Sequence, residues 1–298
     1  MLKGLAITPP TVGRISIGRL VERNGKRLPE KDDQFTLTSQ VQNREGWVLH
    51  PLDELLRRGG DGKLRTLPVR LLFNDPDLNL RADYSLFDRT SGRPTCVGNG
   101  ERCRRVGDEG IEALPCPGPD ACRFAAGYCK AYARFNVLID QGQDDALGSF
   151  VLRTTSFNTI RTLAARLRYF SAVSGGRLAC LPLDLKLRGK STTMSHRAAI
   201  YYVDLVVRSG VGLEQAIEEA REYEQRRHAS GFDQGALDEA ARQGFANGAF
   251  EEMDEDVPMV VEEFFPEDAA SVGELLVDKG TASLRDKLDA KVAGKASC

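Results

Sequence analysis

Between residues 133 and 208 the chain reads ARFNVLID (133–140), GSFVLRTT (148–155), FNTIRTLAARLRYFSAV (157–173), LACLPLDLKLR (178–188) and AAIYYVDLVVR (198–208). The first two runs read as strands joined by a polar loop. The third changes period: Phe157, Ile160, Ala164, Leu167 and Phe170 follow helical spacing, with Ser156 as N-cap and Gly175-Gly176 as the stop. The last two return to alternation. Leu183, Leu185 and Leu187 share one face, and Asp184, Lys186 and Arg188 share the other. Tyr201, Val203, Leu205 and Val207 alternate in the same way. Strand, strand, helix, strand, strand predicts an α+β fold with a mainly antiparallel sheet and one packed helix.

Upstream, residues 1–33 are rich in Gly, Pro and charge. They read as an N-terminal arm with one short strand near Arg14–Ile17. QFTLTSQ at 34–40 alternates like a strand, Pro51–Arg58 reads as a short helix, and Leu80–Phe87 as a strand. Leu64–Phe73 is β-like but contains Pro68, which predicts an edge or bent strand. Residues 95–130 read as an insertion. Downstream, Gly212–His228 and Asp233–Phe250 are helical by composition. Glu251–Asp268 (EEMDEDVPMVVEEFFPED) reads as an acidic linker or interaction peptide, and Ala269–Val292 as a last amphipathic helix. The expected domains are therefore 1–33, a β-rich domain over 34–208, a helical segment over 209–250 and an acidic tail over 251–298.

The chain has 298 residues, 41% apolar and 28% charged, enough to build a core. No apolar run approaches the ~20 residues of a membrane helix. Met1–Pro10 lacks a signal-peptide layout, so a cytoplasmic protein without membrane contact is expected. The net charge of −2 conceals an asymmetry. Residues 1–210 hold 32 Lys and Arg against 22 Asp and Glu, and residues 211–298 hold 9 against 21. A basic body suits a polyanion, and an acidic tail suits a protein partner or competition for the same basic surface. The plainer reading of the tail is acidic helices kept in solution.

Five of the seven cysteines lie within 34 residues: Cys96, Cys103, Cys116, Cys122 and Cys129. Clustered thiols in a cytosolic chain favour a metal over disulfides, and zinc favours four tetrahedral thiolates. Glycines follow Cys96, the turn Pro117-Gly118-Pro119 joins Cys116 to Cys122, and Cys129 follows Gly127-Tyr128. Cys103 sits in a basic stretch without a turn signal. The expected structural zinc ligands are thus Cys96, Cys116, Cys122 and Cys129, with Cys103 free. Such a site leaves no open coordination position for catalysis. The alternative is reduced thiols buried as small apolar side chains.

Enzymatic motifs are missing: no GxSxG, HExxH or strand-following GxGxxG is present. Gly189-Lys190-Ser191-Thr192 matches the end of a phosphate loop, but Asp184 stands where its first glycine belongs, so the match reads as chance. A His196–Asp204 pair reads as structural. No catalytic residue is assigned, and the chain is read as a non-enzyme. The candidate nucleic-acid contacts are Arg102, Arg104, Arg105, Arg123, Lys130, Lys186, Arg188 and Lys190, with Arg161, Arg166 and Arg168 on the helix. Phe124, Tyr128, Tyr132, Phe135, Tyr201 and Tyr202 interleave with them as possible stacking partners. Tyr201 and Tyr202 are adjacent, so one must point away from the core.

The segment Cys96-Val97-Gly98-Asn99-Gly100, Cys116-Pro117, Cys122-Arg123-Phe124-Ala125 and Cys129-Lys130, followed by Ala133–Ile139, resembles the recombination directionality factor-like proteins of phages and integrative elements. In that group a cysteine knuckle precedes a strand and a Gly-aromatic-x-Leu-x-Thr segment, here Gly148–Thr155. The resemblance spans roughly residues 10–208. It implies a zinc-stabilised accessory protein of a mobile element, acting with DNA or a site-specific recombinase. Cys103 departs from the group's pattern, where a non-cysteine is usual. Two other expectations stand beside this one. The first is a single-stranded DNA-binding protein, whose partner-recruiting tail Phe264-Phe265 would resemble. The second is a metal-dependent hydrolase.

Overall fold

The computed structural model describes residues 9–23, 26–43, 46–58, 62–89, 91–141, 147–191 and 199–247. The acidic segment at 251–268, the helix expected over 269–292, and His196 lie outside the described residues. The chain divides into two compact units, Met1–Leu86 with Pro94–Glu251, and Phe87–Arg93 with Glu252–Cys298. In the second, a turn is held by Asp88, whose carboxylate accepts from the backbone N–H and hydroxyl of Ser91.

The first unit is α+β, as the alternating and helical runs predict. Its sheet opens with β1 (Thr11–Arg23), β2 (Lys26–Asn43) and β3 (Gly46–Leu49). β1 pairs antiparallel with β2 and parallel with β10 (Ser149–Thr154). The expected irregular arm is therefore a full strand, and the boundary expected at residue 33 falls inside β2. The reason is alternation masked by charge. Ile15 is buried beside the equally buried Arg14, whose guanidinium stacks over the Trp47 ring at 3.8 Å.

β10 pairs with β9 (Lys130–Ile139), and β9 then serves two branches. Through Lys130–Phe135 it pairs with β5 (Leu80–Phe87). Beyond β5 the order continues through β6 (Pro94–Gly98), β7 (Arg102–Gly107) and β8 (Gly110–Pro115). The cysteine insertion is thus a strand meander extending the sheet. Through Leu138 and Ile139, β9 pairs with β4 (Thr66–Arg70), which pairs with β11 (Leu183–Ser191), which pairs with β12 (Ala199–Val207). β4 is accordingly an interior strand and not the edge that Pro68 predicts. The proline lacks only a donor, and its carbonyl still accepts from the Asp140 N–H.

α3 (Phe157–Val173) has the expected bounds, with Ser156 Oγ accepting from Thr159 N. Gly175 and Gly176 both take positive φ and end it. Its Leu163 and Leu167 are buried with Leu183, Leu185, Val203 and Leu205 in the main core. The run read as a strand from Leu178 begins instead with a 3-10 turn, Leu178–Cys180, so Cys180 is not in a strand. Pro182 separates that turn from β11. The short helices α1 (Pro51–Arg57) and α2 (Pro76–Asn79) lie between strands. The expected C-terminal helices appear as α4 (Leu213–Ala229) and α5 (Gln234–Asn247). Among the described residues no helix is long and apolar enough to cross a membrane.

Candidate metal centre and basic faces

The β6–β7 hairpin is closed by Asn99, whose side-chain oxygen accepts from the backbone N–H groups of Glu101 and Arg102. In that hairpin Cys96 lies opposite Arg105, and Gly98 opposite Cys103. Cys116 leaves the end of β8, where its N–H donates to the Glu101 carbonyl. Cys122 follows the turn at Pro119, and Cys129 precedes β9. All five thiols line one cavity of about 10 Å³, the space of roughly one water-sized sphere. A Cβ on Gly98 would stand 2.6 Å from Cys103 Cβ, 2.9 Å from the Arg102 carbonyl and 3.0 Å from Cys116 Sγ. Glycine is what lets the hairpin close onto the thiols.

Burial, reinforced by the neighbouring thiols, pushes Cys103 up to about 11. The same causes push Cys129 up to about 11. Without a cation beside them, these two thiols are held in the neutral form. The donor set, five thiols and no lining carboxylate, fits a thiophilic ion in kind. Among the described residues, no three His, Cys, Asp or Glu side chains stand together in a geometry that could hold an ion. Cys103, expected to be free, lines the same cavity as the four expected ligands and is more deeply buried than Cys96.

The basic candidates fall into three settings. Arg105 turns inward to the cavity, with its guanidinium 3.8 Å over the Phe124 ring. Alternation along RCRRV carries this signal, since Cys103 and Arg105 share a strand face. Arg102, Arg104 and Arg123 are exposed around the knuckle and form no ion pair among the described residues. Lys130 lies half-buried at the start of β9. Lys186, Arg188 and Lys190 lie on β11, well apart in the fold from the meander. Asp204 on β12 is buried and takes two guanidiniums. Arg166 Nε is 2.9 Å from one of its oxygens, and Arg188 Nε is 3.2 Å from the other. Lys190 Nζ donates to Asn158 Oδ1 at 2.7 Å. Tyr132 and Phe135 are buried, while Phe124 and Tyr128 are exposed. Of the adjacent tyrosines, Tyr201 packs on the core, which leaves Tyr202 on the opposite face of β12.

A model of the recombination directionality factor-like family, described as Gp3-like, matches residues 12–208. The match begins in β1 and ends just after β12, so it takes in the whole sheet and both branches. The chain belongs to the recombination directionality factor-like family, which places it among proteins of DNA recombination. No curated protein and no solved structure matches it.

Proposed function

We propose that this protein is a zinc-stabilised accessory factor of mobile-element recombination. It acts by contacting a site-specific recombinase and carries no reaction of its own. The observation that carries the reading is the family match across the entire sheet, knuckle included. Zinc would be held by Cys96, Cys116, Cys122 and Cys129, with Cys103 against the same cavity. Four thiolates close the coordination shell, so the metal would supply rigidity.

The meander offers a contact surface. Val106 and Ile111 face each other across β7 and β8 and are 48% and 53% exposed. Phe124 is exposed as well; Arg102 and Arg104 precede the apolar pair along β7, and the exposed Asp108-Glu109 turn follows it. Exposed apolar side chains rimmed by charged groups suit a protein partner. To direct a recombinase, the surface must bind one of its assembled states more tightly than another.

The test has two arms. Metal analysis of the full chain is expected to give one zinc, lost in Cys116→Ser and retained in Cys103→Ser. Val106→Asp with Ile111→Asp is expected to keep the zinc and abolish the change in recombination product with the cognate recombinase. A zinc-free native protein overturns the metal reading. Unchanged recombination with the double variant overturns the contact surface.

A further inference from the structure

We infer that the corner formed by α3, β11 and β12 is a platform for single-stranded nucleic acid, separate from the cysteine knuckle. This goes beyond the recombinase reading and stands or falls apart from it.

The outward face of β11 carries Lys186, Arg188 and Lys190, which lie opposite Asp204, Tyr202 and Ile200 of β12. Antiparallel partners point to the same side, so these six side chains form one surface. α3 borders that surface. Thr159 Oγ1 accepts the Val203 N–H, so the helix covers the outer edge of β12. Asn158, Thr162, Arg166 and Tyr169 follow one flank of α3 at spacings of four, four and three. Two contacts turn that flank toward the sheet surface: Asn158 with Lys190, and Arg166 with Asp204. The result is a basic floor with a helical wall.

Charge decides the class of ligand. Among the described residues, Arg166, Lys186, Arg188 and Lys190 face the single carboxylate of Asp204. Asp184, at the far end of β11, is engaged by the N–H and hydroxyl of Ser209 and lies 3.7 Å from Arg208. Among the described residues, floor and wall together therefore keep three positive charges in excess. Asp204 also fixes the two guanidiniums in place while leaving each about two-fifths exposed, at 42% for Arg166 and 41% for Arg188. Guanidiniums held in register and open to solvent are ready donors to phosphate oxygens. On the outer side of α3, Arg161 and Arg168 extend the positive field.

Aromatic side chains decide between single strand and duplex. Tyr169 is 67% exposed, which no packing role explains. Tyr202 stands on the floor with the Lys190 ammonium 5.8 Å from its ring centre. A cationic surface with one exposed and one half-exposed ring accepts splayed bases, whereas the bases of a duplex are already stacked.

The experiment is fluorescence anisotropy on the full chain with a single-stranded oligonucleotide and the matching duplex across a salt series. The single strand is expected to bind more tightly, with a steep loss of affinity on adding salt. Tyr169→Ala and Tyr202→Ala are each expected to weaken single-strand binding by about five-fold or more. Tyr202→Phe is expected to restore it. Lys190→Gln is expected to lower the slope of log affinity against log salt by about 0.7. Failure to bind the single strand at about 50 mM salt, where such contacts are strong, overturns the inference. So does binding that Tyr169→Ala and Tyr202→Ala leave unchanged, or equal affinity for the duplex. The Val106→Asp and Ile111→Asp pair should leave oligonucleotide binding intact, so the two surfaces can fail independently.

Discussion

The two regions that branch from β9 are held together by different physics. In the branch through β4, β11 and β12, Leu67, Leu183, Leu185, Val203 and Leu205 are fully buried against Leu163 and Leu167 of α3. Burying each such side chain contributes roughly 1.5–3 kcal/mol. In the branch through β5 to β8, the buried apolar side chains between residues 94 and 129 are Pro94, Cys96, Cys103 and Ala125. Four small side chains are little core for a three-stranded meander and its loop. The thiols take the place that leucines fill elsewhere, and the proposed zinc would act there as a staple.

The comparison can be broken first on the leucine side. Leu205→Ala is expected to lower global stability by about 2–5 kcal/mol. Native-state thiol reactivity at the knuckle should stay as it was. Denaturant unfolding and thiol titration read the two quantities separately. If the thiols open together with the leucine core, the branches are one cooperative unit.

Gly98→Ala tests the other side. The added methyl meets Cys103 Cβ and the Arg102 carbonyl, so the hairpin must spread, at a cost of about 1–3 kcal/mol. Faster thiol labelling and weaker metal retention are expected, with hydrogen exchange in β11 and β12 unchanged. Equal protection loss in both branches would remove the distinction.

The smallest effect lies outside both regions and gives a baseline for them. His50 caps α1, with Nδ1 accepting from Leu52 N at 3.2 Å, and its ring meets Phe150 edge-on at 4.8 Å. Burial lowers its pKa below the usual 6.5, with Asp53 opposing the shift. The fold thus favours neutral imidazole. This contribution is complete above pH 6.5 and is lost as pH falls through the lowered value. Thermal melts across that range should lose part of their pH dependence in His50→Asn, which keeps a capping acceptor without a titration. An unaltered slope in the variant would assign the pH dependence to other groups.

The sequence was most legible where periodicity was clean. The helix over 157–173 and the strands at 183–191 and 199–207 follow from the spacing of Leu, Val and Tyr, and the thiol cluster follows from the bunching of five cysteines. Alternation also placed one of Tyr201 and Tyr202 away from the core without saying which. It was least legible where polar residues do apolar work. Arg14 is buried under Trp47, so β1 was hidden inside an apparently charged arm. Pro68 suggested an edge, because a missing donor in the sequence does not reveal that the carbonyl is still paired.

By itself, the sequence determined the element types and the set of chemically active side chains, because hydrophobic period and residue chemistry are local properties. Only the tertiary structure decided which of those side chains meet. Closure of the β6–β7 hairpin and of the turns after β8 brought Cys103 into the same cavity as the other four thiols. Packing of α3 beside β11 and β12 set Arg188 and Arg166 on one buried carboxylate, where no spacing along the chain could place them.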